Sequence, residues 1–162
     1  VSEYLRTPGF KYLFWFRLTS YIRDKNKFLY ILFWFKLRRL QFRFGYDIPA
    51  GSFIAPGFYI GHFGGIVISP KARIGRNCNI SQNVTIGYSS RGKNQGNPTI
   101  MENVYIGPGA VIIGNIIIGE NAAIGANAFV NTDVPTNAVV AGVPARIVSF
   151  NGSEGYIFNK IK

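Results

Sequence analysis

The sequence predicts an all-β fold, a parallel β-helix of triangular section preceded by a short helical segment. Three observations carry this: an aliphatic residue returns every six positions from Ile48 onward, glycine often follows it, and composition changes abruptly near Gly45. A period of six fits neither an amphipathic helix nor a hairpin ladder, and is the mark of hexapeptide β-helix repeats.

The repeat comes in three runs. Ile48, Ile54, Ile60 and Ile66 form the first, Ile74, Ile80 and Ile86 the second, and Ile100, Ile106, Ile112, Ile118, Ile124 and Val130 the third. Four residues after the aliphatic one stands a small or branched residue, as at Cys78, Val84, Val104, Ala110, Ile116, Ala122, Ala128 and Val134. Each hexad supplies one short strand and one corner, and three hexads close a coil. The aliphatic side chains point inward and stack on the next coil about 4.8 Å away. Two breaks interrupt the phase, one between Ile66 and Ile74 and one between Ile86 and Ile100. The second holds YSSRGKNQGNPT, polar and glycine-rich, which predicts a loop extruded from the prism over residues 88–99. The domain reading is therefore 1–46 helical, 47–148 β-helix and 149–162 a tail.

Residues 1–46 hold 15 of the 25 aromatic residues and ten Lys or Arg against Glu3 and Asp24. Helices are expected at about 9–22 and 26–44, with a turn at RDKNK. Their longest apolar run, residues 28–35, is far short of the roughly 20 residues needed to span a bilayer. Helices that mix aromatic and cationic residues suit a membrane interface, so peripheral contact with the inner face of a bacterial cytoplasmic membrane is expected; packing within the protein is the alternative. No signal-peptide pattern opens the chain, and the expected compartment is the cytoplasm. One cysteine excludes an intramolecular disulfide framework. One histidine excludes a three-histidine zinc site, so no metal is expected. The charge lies mostly in the first 46 residues, and no nucleic-acid partner is expected.

That single histidine, His62, stands in FYIGHFGGIVIS. The stretch DIPAGSFIAPGFYIGHFGGIVISPKARIGRNCNISQNVTIG, together with NPTIMENVYIGPGAVIIGNIIIGENAAIGANAFV and AGVPARIV, resembles the serine acetyltransferase branch of the hexapeptide acyltransferases across residues 45–148. The resemblance implies a left-handed coil, a homotrimer with sites shared between subunits, and acetyl-CoA as donor. It also implies that His62 is the general base and Asp47 the carboxylate that orients it. Gly87, Tyr88, Pro108 and Ala126 would line the pantetheine groove, and Arg146 would meet a CoA phosphate. An imidazole suits removal of a hydroxyl proton near neutral pH. Cys78, at an inward position, is expected to be an inert core residue, which favours direct transfer over a covalent acyl-enzyme.

The sequence departs from that branch at two places. Gly61 stands where serine-specific members carry an acidic residue, and Gly96-Asn97 stands where they carry Arg-His. Gly61 and Asn97 are thus the expected acceptor-facing residues, and their identity points away from serine. The expectation is an O-acetyltransferase of capsule or exopolysaccharide synthesis, acting on a sugar or polysaccharide precursor attached to a membrane lipid. Serine O-acetylation, acetylation of a nucleotide-linked amino sugar, and a non-catalytic scaffold are the alternatives.

Overall fold

A computed structural model describes residues 7–158, 160 and 161. Two helices, α1 (Pro8–Ile22) and α2 (Lys27–Phe44), precede fifteen short strands. The first sheet stacks β1 (Tyr46–Asp47), β4 (Ile66–Ile68), β7 (Thr85–Gly87), β10 (Val111–Ile113) and β13 (Phe129–Val130) in that order. The second stacks β2 (Phe53–Ile54), β5 (Arg73–Ile74), β8 (Thr99–Ile100) and β11 (Ile117–Ile118). The third runs β3 (Tyr59–Ile60), β6 (Asn79–Ile80), β9 (Tyr105–Ile106), β12 (Ala123–Ile124), β14 (Val139–Ala141) and β15 (Arg146–Ser149). All pairings are parallel except β14 with β15. The chain visits the three sheets in rotation, which is a parallel β-helix.

The inward aliphatic residues form columns by register. Ile60, Ile80, Ile106, Ile124 and Val140 pair down the third sheet, and Ile54, Ile74, Ile100 and Ile118 down the second. All are buried. On the first sheet the column is Ile68, Ile86, Ile112 and Val130. This corrects the position of the first phase break. Ile66 and Ile68 are both buried on β4, but Ile66 pairs with Tyr46 while Ile68 continues the column through Ile86. The two extra residues therefore lie between Ile60 and Ile68, in the corner GHFGG that contains His62. The second insertion forms a small hairpin closed by Ser89 and Gly96, which exchange backbone hydrogen bonds of 2.9 and 3.1 Å.

Asparagine builds the corners. Asn77, Asn103, Asn121 and Asn137 all hold φ of 55–60°. Their side chains join into a ladder in which Asn103 Nδ2 donates to Asn121 Oδ1 and Asn121 Nδ2 to Asn137 Oδ1, both at 3.1 Å. Asparagine tolerates this left-handed conformation better than most residues, and here it also supplies the amide that ties coil to coil.

The helices cap the first coil, whose upper carbonyls would otherwise lack partners. Tyr12 Oη and Gln41 Nε2 both donate to the Ile48 carbonyl, and Arg17 donates to those of Ile54 and Ala55. Gly9 lets α1 lie directly on β3, since a Cβ there would stand 2.4 Å from the Ile60 carbonyl oxygen. Asn26 caps α2 by accepting from the Leu29 amide, and Gly45 ends it at φ 69°. The N-terminal aromatics thus divide: Tyr12, Phe16 and Tyr46 enter the core, while others face outward. No described helix is long and apolar enough to cross a membrane. At the other end of the chain the tail returns along the third sheet. Tyr156 stacks on Tyr105 at 4.3 Å, and Asn79 Nδ2 donates to the Tyr156 carbonyl.

Candidate active site

His62 sits in the widened corner between β3 and β4 and is exposed. It opens into a groove of about 750 Å³ lined by Tyr59, Gly61, Asn79, Ser81 and Tyr105, and by Tyr156 and Phe158 of the tail. Gly61 lines the groove beside His62. Tyr46, on the strand above the corner, donates from Oη to the His62 carbonyl at 3.3 Å. Burial pushes the Tyr46 phenol up to about 12, so it stays a donor across the physiological range. Asp47 follows Tyr46 on β1 and pairs by register with Val67, on the strand that leaves the His62 corner. Asp47 also lines a separate small cavity with Tyr30, Trp34, Arg38 and Gln41. Among the described residues no hydrogen bond joins Asp47 to His62; the link between the two positions is Tyr46.

Three of the five residues expected to hold the donor share one edge of the prism with His62. The corner after each strand of the third sheet stacks on the one above: the Gly109 amide donates to the Gln82 carbonyl, and that of Asn127 to the Pro108 carbonyl. Below them Phe129 exchanges hydrogen bonds with Gly142 and Ala145, which leaves Arg146 exposed at the foot of this edge. His62, Gln82, Pro108, Ala126 and the turn 142–145 thus descend in four coil steps, about 19 Å at ~4.8 Å each. Gly87 and Tyr88 lie elsewhere, at the far end of β7 where the hairpin leaves the prism. Gln95 Nε2 donates to Tyr88 Oη at 3.0 Å, and Asn94 ties the hairpin to the Asn131 carbonyl. Asn97 is half-buried and accepts from Ser69 Oγ at 2.6 Å.

Gln82 is a residue the sequence reading missed. Its Oε1 is buried without a hydrogen-bond partner and belongs to the corner beneath His62. Its only sequence signal is its place two residues after Ile80, which matches that of His62 after Ile60.

Cys78 is fully buried, and its Sγ–H donates to the Met101 carbonyl at 3.1 Å. Burial pushes its thiol up to about 12. We expect no labelling of the native protein by a thiol reagent at pH 8 and full labelling in denaturant; rapid native labelling would place the thiol at the surface. The same shift bears on alkaline stability. The thiol's contribution is intact below the ordinary thiol range and is lost as pH rises toward 12, so Cys78→Ala should flatten that part of the profile. No described group of three His, Cys, Asp or Glu side chains could hold a metal ion.

Residues 97–132 match the family of bacterial transferase hexapeptide, six repeats. The chain is 37% identical over 168 residues to the serine acetyltransferase of Buchnera aphidicola, covering all of this chain and 60% of that protein. It is 40% identical over 108 residues to that of Synechococcus elongatus, covering 67% of this chain and 44% of that one. A solved serine acetyltransferase in complex with cysteine superposes with a TM-score of 0.77 at 36% identity, over 89% of this chain and 59% of that one. The Neisseria gonorrhoeae enzyme in complex with serine gives 0.75 at 35%, over 90% and 58%. The likeness implies a left-handed coil. The chain spans about half the length of these relatives.

These findings overturn the saccharide reading of the acceptor and with it the capsule and exopolysaccharide character. That reading rested on a few positions, Gly61 and Gly96-Asn97, whereas the likeness to serine acetyltransferases runs along the chain. A changed side chain at an acceptor position alters how a group is held without naming a new acceptor. Residues 97–132 carry the hexapeptide repeat of bacterial transferases, and the chain as a whole is similar to serine acetyltransferases.

Proposed function

We propose that this chain transfers an acetyl group from acetyl-CoA to the hydroxyl of serine. The observation that supports it is one edge of the prism, on which His62 heads a line of Pro108, Ala126 and Arg146, in a chain homologous to serine acetyltransferases. His62 takes the hydroxyl proton as the serine oxygen forms its bond to the thioester carbonyl carbon. The carbon–sulfur bond then breaks, and the imidazolium returns the proton to the departing thiolate. Cys78 is buried and protonated, so no enzyme nucleophile intervenes. Pro108 and Ala126 flank the pantetheine arm, and Arg146 meets a phosphate. With Gly61 beside His62, the acceptor's charged groups are met by groove residues such as Ser81 and Asn79.

The assembly is a homotrimer. Within one chain the His62 edge and the Gly87–Tyr88 edge lie at opposite ends of the first sheet. A neighbouring copy that brings its hairpin 88–99 against the His62 edge unites the two halves. The test is thiol release from acetyl-CoA with serine, threonine and simple sugars as acceptors, on material sized by light scattering. Serine should give the fastest release, from a trimer. Absence of release with serine, or full activity in a monomer, would overturn the reading.

We propose Asp47 as the carboxylate of the pair on the strength of its place beside Tyr46, whose Oη ties β1 to the His62 corner; the two side chains themselves form no hydrogen bond in the single chain. Asp47→Asn should slow turnover roughly tenfold or more while leaving the KM for acetyl-CoA little changed. A variant that turns over normally would confine Asp47 to the cavity beneath α2.

A further inference from the structure

We infer that the outer face of α2 is a docking surface for an anionic lipid membrane. It stands independently of the acetyl-transfer reading. The helix is apolar on two opposite sides. Its inner side, with Leu37, Leu40 and Gln41, is buried against the β-helix. Its outer side carries Phe28, Leu32, Phe35 and Phe42, at the i, i+4, i+7 and i+14 positions of one stripe. The three phenylalanines are 73, 64 and 75% exposed. Ile31 widens the stripe, and Arg39 and Arg43 stand within it.

Charge decides the occupant. Lys27, Lys36, Arg38, Arg39 and Arg43 are all exposed on this one helix, which has no acidic residue. The one salt bridge formed among the described residues, Arg23 with Asp24, lies outside it. Several of its cations rest on aromatic rings instead, as Arg38 does over Phe42 at 4.6 Å and Lys36 over Trp15 at 5.8 Å. A second copy of this face would set like charges against one another. An anionic headgroup layer meets the cations while the rings enter the acyl boundary, the arrangement of an interfacial helix. At 18 residues α2 is about 27 Å long, and it lies flat rather than spanning.

The test is flotation of the intact chain with vesicles of equal parts phosphatidylglycerol and phosphatidylcholine, against phosphatidylcholine alone. The protein should float with the anionic vesicles at low salt and keep a reduced bound fraction at high salt, because the rings are not screened. The double variant Phe35→Glu, Phe42→Glu should bind at least about tenfold less while its trimer and its acetyl-CoA turnover stay unchanged. An intact chain that stays out of the anionic vesicles at low salt would overturn the inference. So would a variant whose oligomer becomes smaller, since that would show the face to be an interface between copies.

Discussion

Replacing His62 by alanine is expected to lower kcat for acetyl transfer by at least about a hundredfold, within the range of about 10²–10⁴ for loss of a general base. The loss should fall on kcat rather than on the KM for acetyl-CoA, because the proposed donor contacts Pro108, Ala126 and Arg146 run down the edge away from the imidazole. The fold should survive. His62 is exposed, and the hydrogen bond that fixes its corner, from Tyr46 Oη, goes to its backbone carbonyl, which alanine retains. Steady-state kinetics on the variant, with circular dichroism and light scattering to confirm the fold and the oligomer, makes the check. Turnover within threefold of the parent would take His62 out of the chemistry. Tyr46→Phe separates the two roles in this corner: it keeps the imidazole but frees the carbonyl, so it should cost less than the alanine variant.

The position of this corner explains why a histidine stands between so many glycines. A regular hexad leaves no room for a projecting loop; the two extra residues between Ile60 and Ile68 create one. Gly64 and Gly65, at φ 104° and 61°, let it turn back onto β4. Periodicity announced the columns because the interior of a narrow prism accepts only one kind of side chain at each inward position. It misplaced the first break because β4 reads Ile-Val-Ile, and two aliphatic residues two apart offer the same hexad two starting points. Only pairing with Tyr46 on one side and Ile86 on the other tells them apart.

The site was legible in part. The lone imidazole could be picked out by its chemistry, and Gln82, Pro108 and Ala126 share its place two residues after a column isoleucine. That they line up beneath it depends on which coil lies on which, set for Gln82 by the length of the first insertion and for Pro108 and Ala126 by both; the tie from Tyr46 to His62 has no hexad signal. Asp47, the carboxylate expected beside His62, makes no hydrogen bond to it in the single chain and also lines a cavity under α2, a neighbour that no hexad count includes. The acceptor is not legible in Gly61 and Gly96-Asn97 alone, because two changed positions say less about it than the likeness to serine acetyltransferases that runs along the chain.

The second large effect concerns the column itself. Ile106→Ala should destabilise the fold by about 2–5 kcal/mol, the usual cost of emptying a buried isoleucine site. Ile106 is fully buried at the centre of the third sheet's column, with Ile80 on one side and Ile124 on the other. Its loss opens a gap against two coils at once, and the Asn ladder and the backbone pairing hold those coils too firmly to close it. Val140→Ala is the control. Val140 ends the same column, with Ile124 as its parallel neighbour and β15 on its other side, and valine has one methylene less to lose. It should cost about 1–2 kcal/mol. Urea unfolding at one fixed protein concentration, so that subunit association contributes equally, gives the comparison. In a stacked solenoid a central coil is held by two neighbours and an end coil by one, so the cost should grade from the middle outward. Equal shifts for the two variants would mean instead that the capping hairpin β14–β15 packs as tightly as an internal coil, and that the column ends at β15 rather than at Val140.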